Sequence, residues 1–213
     1  FVDGFYGRPR IDLNYLSKHS KGLICLTACI AGAIPKILLN RMLPDRYEQA
    51  KKYALELKSM FEEGDFYIEL QNHHLDVERE VNPQLVKLAK EIGVKCVATN
   101  DVHYIKESDW KMHDVLLCIQ TASDYDDPNR FRFPCKEFYL KNYDQMFEVL
   151  GWCPEALDNT LEIADKCNLE IKFRDYTIPV YQCPDNMKDH EYLRKLCYEG
   201  LQRRYGEITK EIR

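Results

Sequence analysis

A chain of 213 residues with 45% hydrophobic content can bury a sizeable core, enough for one large domain or one domain with a piece of a second. Its net charge of -5 and pI near 5.7 argue against gripping nucleic acid by bulk charge, while leaving room for a local basic groove. No apolar run approaches the roughly twenty residues that cross a bilayer, so no membrane span or signal peptide is expected and the chain reads as soluble and cytoplasmic. Its nine cysteines include no C-x-x-C pair, and an odd count without framework spacing predicts reduced, mostly buried thiols. The opening Phe1-Val2-Asp3 is neither an initiator methionine nor a leader, so a piece of a longer protein is expected.

Gly22 precedes the apolar run Leu23 to Thr27, typical of a strand buried on both faces. Pro35 suits the first turn of a short helix over Ile34 to Leu39. From Asp45, the apolar residues Tyr47, Ala50, Ala54, Leu57 and Phe61 step by three and four until Gly64, the pattern of an amphipathic helix. Phe66 to Gln71 then alternates, with Phe66, Ile68 and Leu70 on one face and Tyr67, Glu69 and Gln71 on the other. Val81, Leu85, Leu88 and Ile92 mark another helix ending at Gly93, and the run from Val94 makes a third strand. Strand, helix, strand, helix, strand in this order predicts an α/β fold with a parallel sheet.

Beyond Tyr104, Ser108 can cap a helix running to about Gln120, Asp126 to Asn129 reads as a turn, and Asn142 and Pro154 start two further helices. Composition shifts after Phe173, where Pro179 and Pro184 punctuate an irregular connector before a last helix from about Asp189 carrying Leu193, Leu196, Tyr198 and Leu201. A boundary near residues 174 to 187 follows, dividing 1–173 from 174–213.

Ligand-type residues gather at the carboxyl ends of the strands, the rim where parallel α/β folds build their chemistry. Cys29 follows the first strand, Glu69 and His73 close the second, and Asp101 and His103 close the third. If the third strand stays extended, Thr99, Asp101 and His103 share one face, and an Asp oxygen beside an imidazole nitrogen suits zinc, manganese or iron better than calcium. Each residue also has a plainer reading. Cys29 fits as a small buried residue, Asp101 as a cap beside a surface His103, and His73 with His74 as a solvated loop pair. A buried Glu69 needs a partner, whether Arg, His or a metal. His19, His113 and His190 fall in no constellation.

Gly4-Phe5-Tyr6-Gly7-Arg8-Pro9-Arg10, Gly22 to Gly32, Tyr67-Ile68-Glu69-Leu70-Gln71-Asn72-His73 and Ala98-Thr99-Asn100-Asp101-Val102-His103-Tyr104 together resemble the PHP (polymerase and histidinol phosphatase) domain of bacterial replicative DNA polymerase III alpha subunits. The likeness continues through His113 to Thr121, Asp127 to Phe133, Phe138 to Lys141, Glu155 to Ala164 and Tyr192 to Cys197. The resemblance implies a partial, distorted TIM-like (β/α) barrel of PHP type with additional C-terminal helices. Residues 1–173 become the later part of the PHP domain, and 174–213 the connector and first helix toward the polymerase palm.

It also implies that Cys29, Asp101 and His103 are metal ligands, with Glu69 and His73 lining the pocket or supporting it. His74 stands where the family commonly has glycine, and Thr121 to Tyr125 departs from its usual turn. The family's opening His-x-His and further ligands are expected upstream of Phe1 and its polymerase carboxylates downstream of Arg213. The segment alone is therefore expected neither to polymerise DNA nor to complete the metal cluster.

For the parent protein the resemblance implies a DNA-directed DNA polymerase using magnesium and deoxynucleoside triphosphates, partnered by DNA, a proofreading exonuclease subunit or a sliding clamp. A PHP site holding zinc, manganese or iron implies phosphodiester or pyrophosphate hydrolysis, with proofreading as its use. The alternatives are a stand-alone PHP phosphoesterase and a metal-free structural or docking module.

Overall fold

The computed structural model describes residues 4–5, 7–173, 179–207 and 209–210. The motif residue Tyr6 and the start of the expected connector, 174–178, lie outside the described residues. Two compact units emerge, Phe1–Asn168 and Leu169–Arg213.

The first unit runs α1 (Leu13–His19), β1 (Cys25–Leu26), α2 (Ala33–Leu39), α3 (Arg46–Lys58), β2 (Phe66–Leu70), α4 (Asp76–Ile92), β3 (Lys95–Ala98), a 3-10 turn (Glu107–Asp109), α5 (Trp110–Thr121), α6 (Tyr143–Leu150) and α7 (Pro154–Lys166). The strands form one parallel sheet in the order β1-β2-β3, with Cys25 opposite Phe66, Ile68 opposite Cys96 and Leu70 opposite Ala98. The α/β reading therefore holds, although the first strand is shorter than the apolar run predicts.

The middle strand organises the core. Phe66, Ile68 and Leu70 share a face with Cys96 and Ala98 of β3, and this face packs with Ile34 and Leu38 of α2, Ala50 and Ala54 of α3, and Val81, Leu85 and Leu88 of α4. Leu150, Ala156 and Leu157 join the same cluster. Each leucine, isoleucine, valine and phenylalanine among them contributes about 1.5–3 kcal/mol by leaving water. On the opposite face Tyr67 is also fully buried, its hydroxyl donating to Glu162 at 2.8 Å and accepting from Lys166 at 2.9 Å.

Helix ends follow local chemistry. Gly93 closes α4 in the left-handed conformation, at φ 65°, that glycine adopts without strain. Asn142 caps α6 by accepting from the Gln145 amide while the Gln145 side chain accepts from the Asn142 amide, and Pro154 occupies the first turn of α7. Ser108 does not cap α5. It lies inside the 3-10 turn, whose start is held by the Asp109 carboxylate on the Lys106 amide, because an acceptor three residues on suits that tighter winding. Helix α1 was not expected; its signal is Asp12, which accepts from the Tyr15 amide at 2.7 Å.

Each strand exits through a residue in left-handed backbone: Ala28 (φ 64°) after β1, His74 (φ 61°) after β2 and Asp101 (φ 44°) after β3. The expected extension of β3 through His103 is thus corrected. The strand ends at Ala98, and the reversal at Asp101 breaks the alternation that would have set Thr99, Asp101 and His103 on one face.

The second unit holds a 3-10 turn (Pro184–Asn186) and α8 (Asp189–Tyr205), with Tyr181 stacked on Tyr192 and with Leu193 and Leu196 exposed. All nine cysteines are free, but only Cys96, Cys118 and Cys153 are buried and Cys167 and Cys197 are exposed, so the thiols are not mostly buried. Burial pushes the Cys96 thiol up to about 12, with Cys153 beside it. Among the described residues no helix is long and apolar enough to cross a membrane.

The left-handed backbone at exposed His74 accounts for the glycine that the resemblance places there. Glycine relieves a steric cost of roughly 1–2 kcal/mol but loses some of the gain to unfolded-state entropy. His74→Gly is expected to stabilise by about 0.5 kcal/mol and His74→Val to destabilise by about 1–2 kcal/mol in urea unfolding. A destabilised glycine variant would contradict the assignment.

Candidate functional site

Glu69 stands at the centre of the carboxyl rim. Its Oε2 accepts from the Ala28 amide at 2.8 Å, and its Oε1 accepts from the Thr99 hydroxyl and from Gln71 Nε2 at 3.1 Å. The Glu69 amide donates to Thr27 Oγ1 at 2.9 Å, and the Thr99 amide donates to the Leu70 carbonyl at 3.0 Å. One half-buried carboxylate thereby joins the exits of β1, β2 and β3. Among the described residues the protein partners of the Glu69 carboxylate are neutral donors, an amide, a hydroxyl and a side-chain amide, rather than Arg or His.

His73 is buried, contrary to its reading as half of a solvated pair. Its amide donates to Glu78 Oε2 at 2.6 Å, and its Nδ1 lies 2.7 Å from Glu78 Oε1. Nε2 faces the Asn100 carbonyl at 3.3 Å, and the ring stacks on Phe138 at 4.4 Å between centroids. The Phe138 carbonyl accepts the His103 amide at 2.8 Å, and Asn100 Nδ2 donates to the Tyr139 carbonyl at 2.7 Å. Glu78 and His73 therefore brace the turn that carries Asp101 and His103. His74 is exposed and takes no part beyond its amide bond to Asn72.

Asp101 and His103 remain partly open to solvent. His103 Nδ1 lies 2.9 Å from the Asp101 carbonyl, an oxygen that only accepts, so Nδ1 carries a hydrogen, and in the neutral ring Nε2 would hold the lone pair. Metal-ligating imidazoles commonly use this arrangement. The Asp101 carboxylate is 3.9 Å from Nδ1. Cys29, half-buried, lies with Glu69, Gln71 and Asn82 around a gap of about 10 Å³, too small to be a substrate pocket.

Among the described residues no three His, Cys, Asp or Glu side chains are grouped to hold a metal ion. Cys29, Asp101 and His103 consequently do not close a centre by themselves. Asp101 is turned by its left-handed backbone, and the Glu69 carboxylate is occupied by protein donors.

Two participants escaped the sequence reading. Glu78 had a detectable signal, an acid three residues beyond Leu75 at the start of α4, where carboxylates accept free amides. His113 had none. It meets His103 at 5.6 Å, Phe133 at 4.7 Å and Tyr104 at 5.4 Å between ring centroids, and burial together with His103 lowers its pKa. Nearby, Arg130 holds Asp114 through two bonds of 2.6 Å.

The parallel sheet and its polar rim are those of a PHP-type α/β protein, and residues 1–73 match the PHP domain family, so the fold is a partial TIM-like barrel of that type. Along its whole length the chain is similar to proteins named DNA polymerase III subunit alpha. It is 39% identical over 214 residues to that of Treponema pallidum and 42% identical over 215 residues to that of Borreliella burgdorferi, each alignment covering 100% of this chain and 18% of the relative. The Thermus aquaticus protein is 42% identical over 218 residues, covering 99% of this chain and 17% of its own. The chain thus resembles one part of the DNA polymerase III alpha subunits and spans less than a fifth of the length of the curated relatives it matches.

The Asp114–Arg130 pair carries a pH signature. The Arg130 hydrogen bonds hold the Asp114 carboxyl below its usual range, against a smaller opposing effect of burial. A depressed folded-state pKa contributes stability that is complete above the unfolded value, about 4, and is lost as pH falls through the lower folded value. Asp114→Asn should lower the thermal midpoint at neutral pH, and the gap to wild type should shrink on acidification below about pH 4. A gap independent of pH would refute the pairing.

Proposed function

We propose that this segment works within a replicative DNA polymerase as the later part of a PHP-type barrel, with residues 174–213 leading toward the polymerase palm. The parent would use magnesium, DNA and deoxynucleoside triphosphates, alongside a proofreading exonuclease subunit or sliding clamp. The observation that carries the reading is similarity to alpha subunits over the whole chain, including the part beyond the residues matched by the PHP domain family. That later part weighs against a stand-alone phosphoesterase, which has no need of it.

Within the parent, Cys29, Asp101 and His103 are the side chains this segment offers to a centre completed by ligands elsewhere. The Nε2 lone pair of His103 and the open carboxylate of Asp101 support the offer. A bound zinc, manganese or iron ion would supply an activated water and neutralise phosphoryl charge for phosphodiester or pyrophosphate hydrolysis. This chain's own contribution is positional: Glu69 ties the strand exits together, and Glu78 with His73 braces the Asp101–His103 turn. A metal-free scaffold is the second reading, favoured by the engagement of Glu69 and Glu78 with protein donors.

Elemental analysis and a 3′-end hydrolysis assay of an alpha subunit containing this segment test the choice. The wild type should carry metal and hydrolyse, while His103→Ala should lose both and still unfold cooperatively. A metal-free, inert wild type would establish the scaffold reading.

A further inference from the structure

Beside His103 lies a pocket of about 190 Å³ that none of the expected ligands occupies. Tyr104, His113 and Phe133 form an aromatic wall, with His113 edge-on to Phe133 and Phe133 in turn edge-on to His103 at 4.6 Å. Trp110 makes another side, and Lys136 Nζ sits 3.9 Å from its ring centroid. Arg132 also lines the pocket, and among the described residues its guanidinium donates to the carbonyls of Tyr125 at 3.3 Å and Asp127 at 3.4 Å.

The charge balance at this pocket is positive in an otherwise acidic chain. Asp114, the acid in the lining, is engaged by Arg130 in two bonds, whereas among the described residues neither Arg132 nor Lys136 forms an ion pair. The sequence shows the same interleaving of cations and rings in Trp110-Lys111 and Arg130-Phe131-Arg132-Phe133. A small anion would need the cations alone. Aromatic walls beside two cations that no carboxylate neutralises, one of them resting over the Trp110 ring, suit a planar base joined to a phosphate, the combination that single-strand binding surfaces use.

We propose that this pocket binds one nucleotide of a single-stranded nucleic acid, its base against Trp110 and the aromatic wall and its phosphate between Arg132 and Lys136. The assignment deepens the polymerase reading and rests on it for the strand's origin, because the shared wall with His103 would deliver a strand end to the rim.

The test uses the 213-residue chain with Trp152→Phe, which leaves Trp110 as the sole tryptophan, in the presence of a chelator. A short oligothymidylate should quench Trp110 fluorescence saturably, and a duplex, whose bases are stacked already, should bind more weakly. Arg132→Glu with Lys136→Glu should weaken binding at least tenfold and flatten the dependence of log affinity on log salt by about 0.7 per lost phosphate contact. Charge reversal at Lys18 and Lys21, outside the pocket, should change affinity less than about twofold. Oligouridylate run in parallel identifies the strand type by the tighter binding.

Absence of saturable quenching, together with absence of anisotropy change on a labelled oligonucleotide, would overturn the proposal. So would equal binding of duplex, or an equal loss in the control reversals. Because the chelator removes any metal, binding here survives failure of the metal reading, and failure here leaves that reading intact.

Discussion

A carboxylate drawn out of water needs donors in place of its hydration shell. Glu69 finds them at the exits of neighbouring strands, in the Ala28 amide, the Thr99 hydroxyl and the Gln71 side-chain amide. Strand pairing alone leaves these exits loosely specified, because β1 contributes only Cys25 and Leu26 to the ladder and β3 stops at Ala98. The Glu69 cluster continues the sheet's connectivity past the last ladder bonds. It also explains how the exit of β1 tolerates left-handed backbone at Ala28, whose amide Glu69 holds: a conformation that costs energy locally persists where surrounding bonds over-determine it.

A second acid, the buried Glu78, repeats the principle one step outward. Glu78 accepts from the His73 amide and ring and from the Leu75 amide, and His73 faces the Asn100 carbonyl and stacks on Phe138. The turn bearing Asp101 and His103 is thus held by contacts from the end of β2, the start of α4 and the 138–139 segment. Both acids are engaged within the protein, which leaves Asp101, His103 and Cys29 as the rim groups with capacity to spare.

Local periodicity made the frame legible. Val81, Leu85, Leu88 and Ile92 with Gly93 marked α4, the alternation of Phe66, Ile68 and Leu70 marked β2, and Asn142 and Pro154 marked the starts of α6 and α7. Helix α1 was missed because it buries none of its residues, so no apolar stripe announces it. The site was legible in residue type but not in conformation. Nothing near His103 in sequence foretells the rings of His113 and Phe133 beside it, and nothing near His73 foretells Phe138. The straight continuation assumed for β3 stops at Ala98, and the left-handed backbone at Asp101 completes the break; Asn100-Asp101 was its faint signal, since Asn and Asp tolerate that region.

If the Glu69 carboxylate, more than strand pairing, fixes the carboxyl rim, amide hydrogen exchange in Glu69→Ala should be faster than in wild type at Ala28, Thr99 and His103, while the amides of Leu85 and Leu88 in α4 keep their protection. Unchanged protection at Ala28 and Thr99 in a folded variant would show that the strands hold the rim without it.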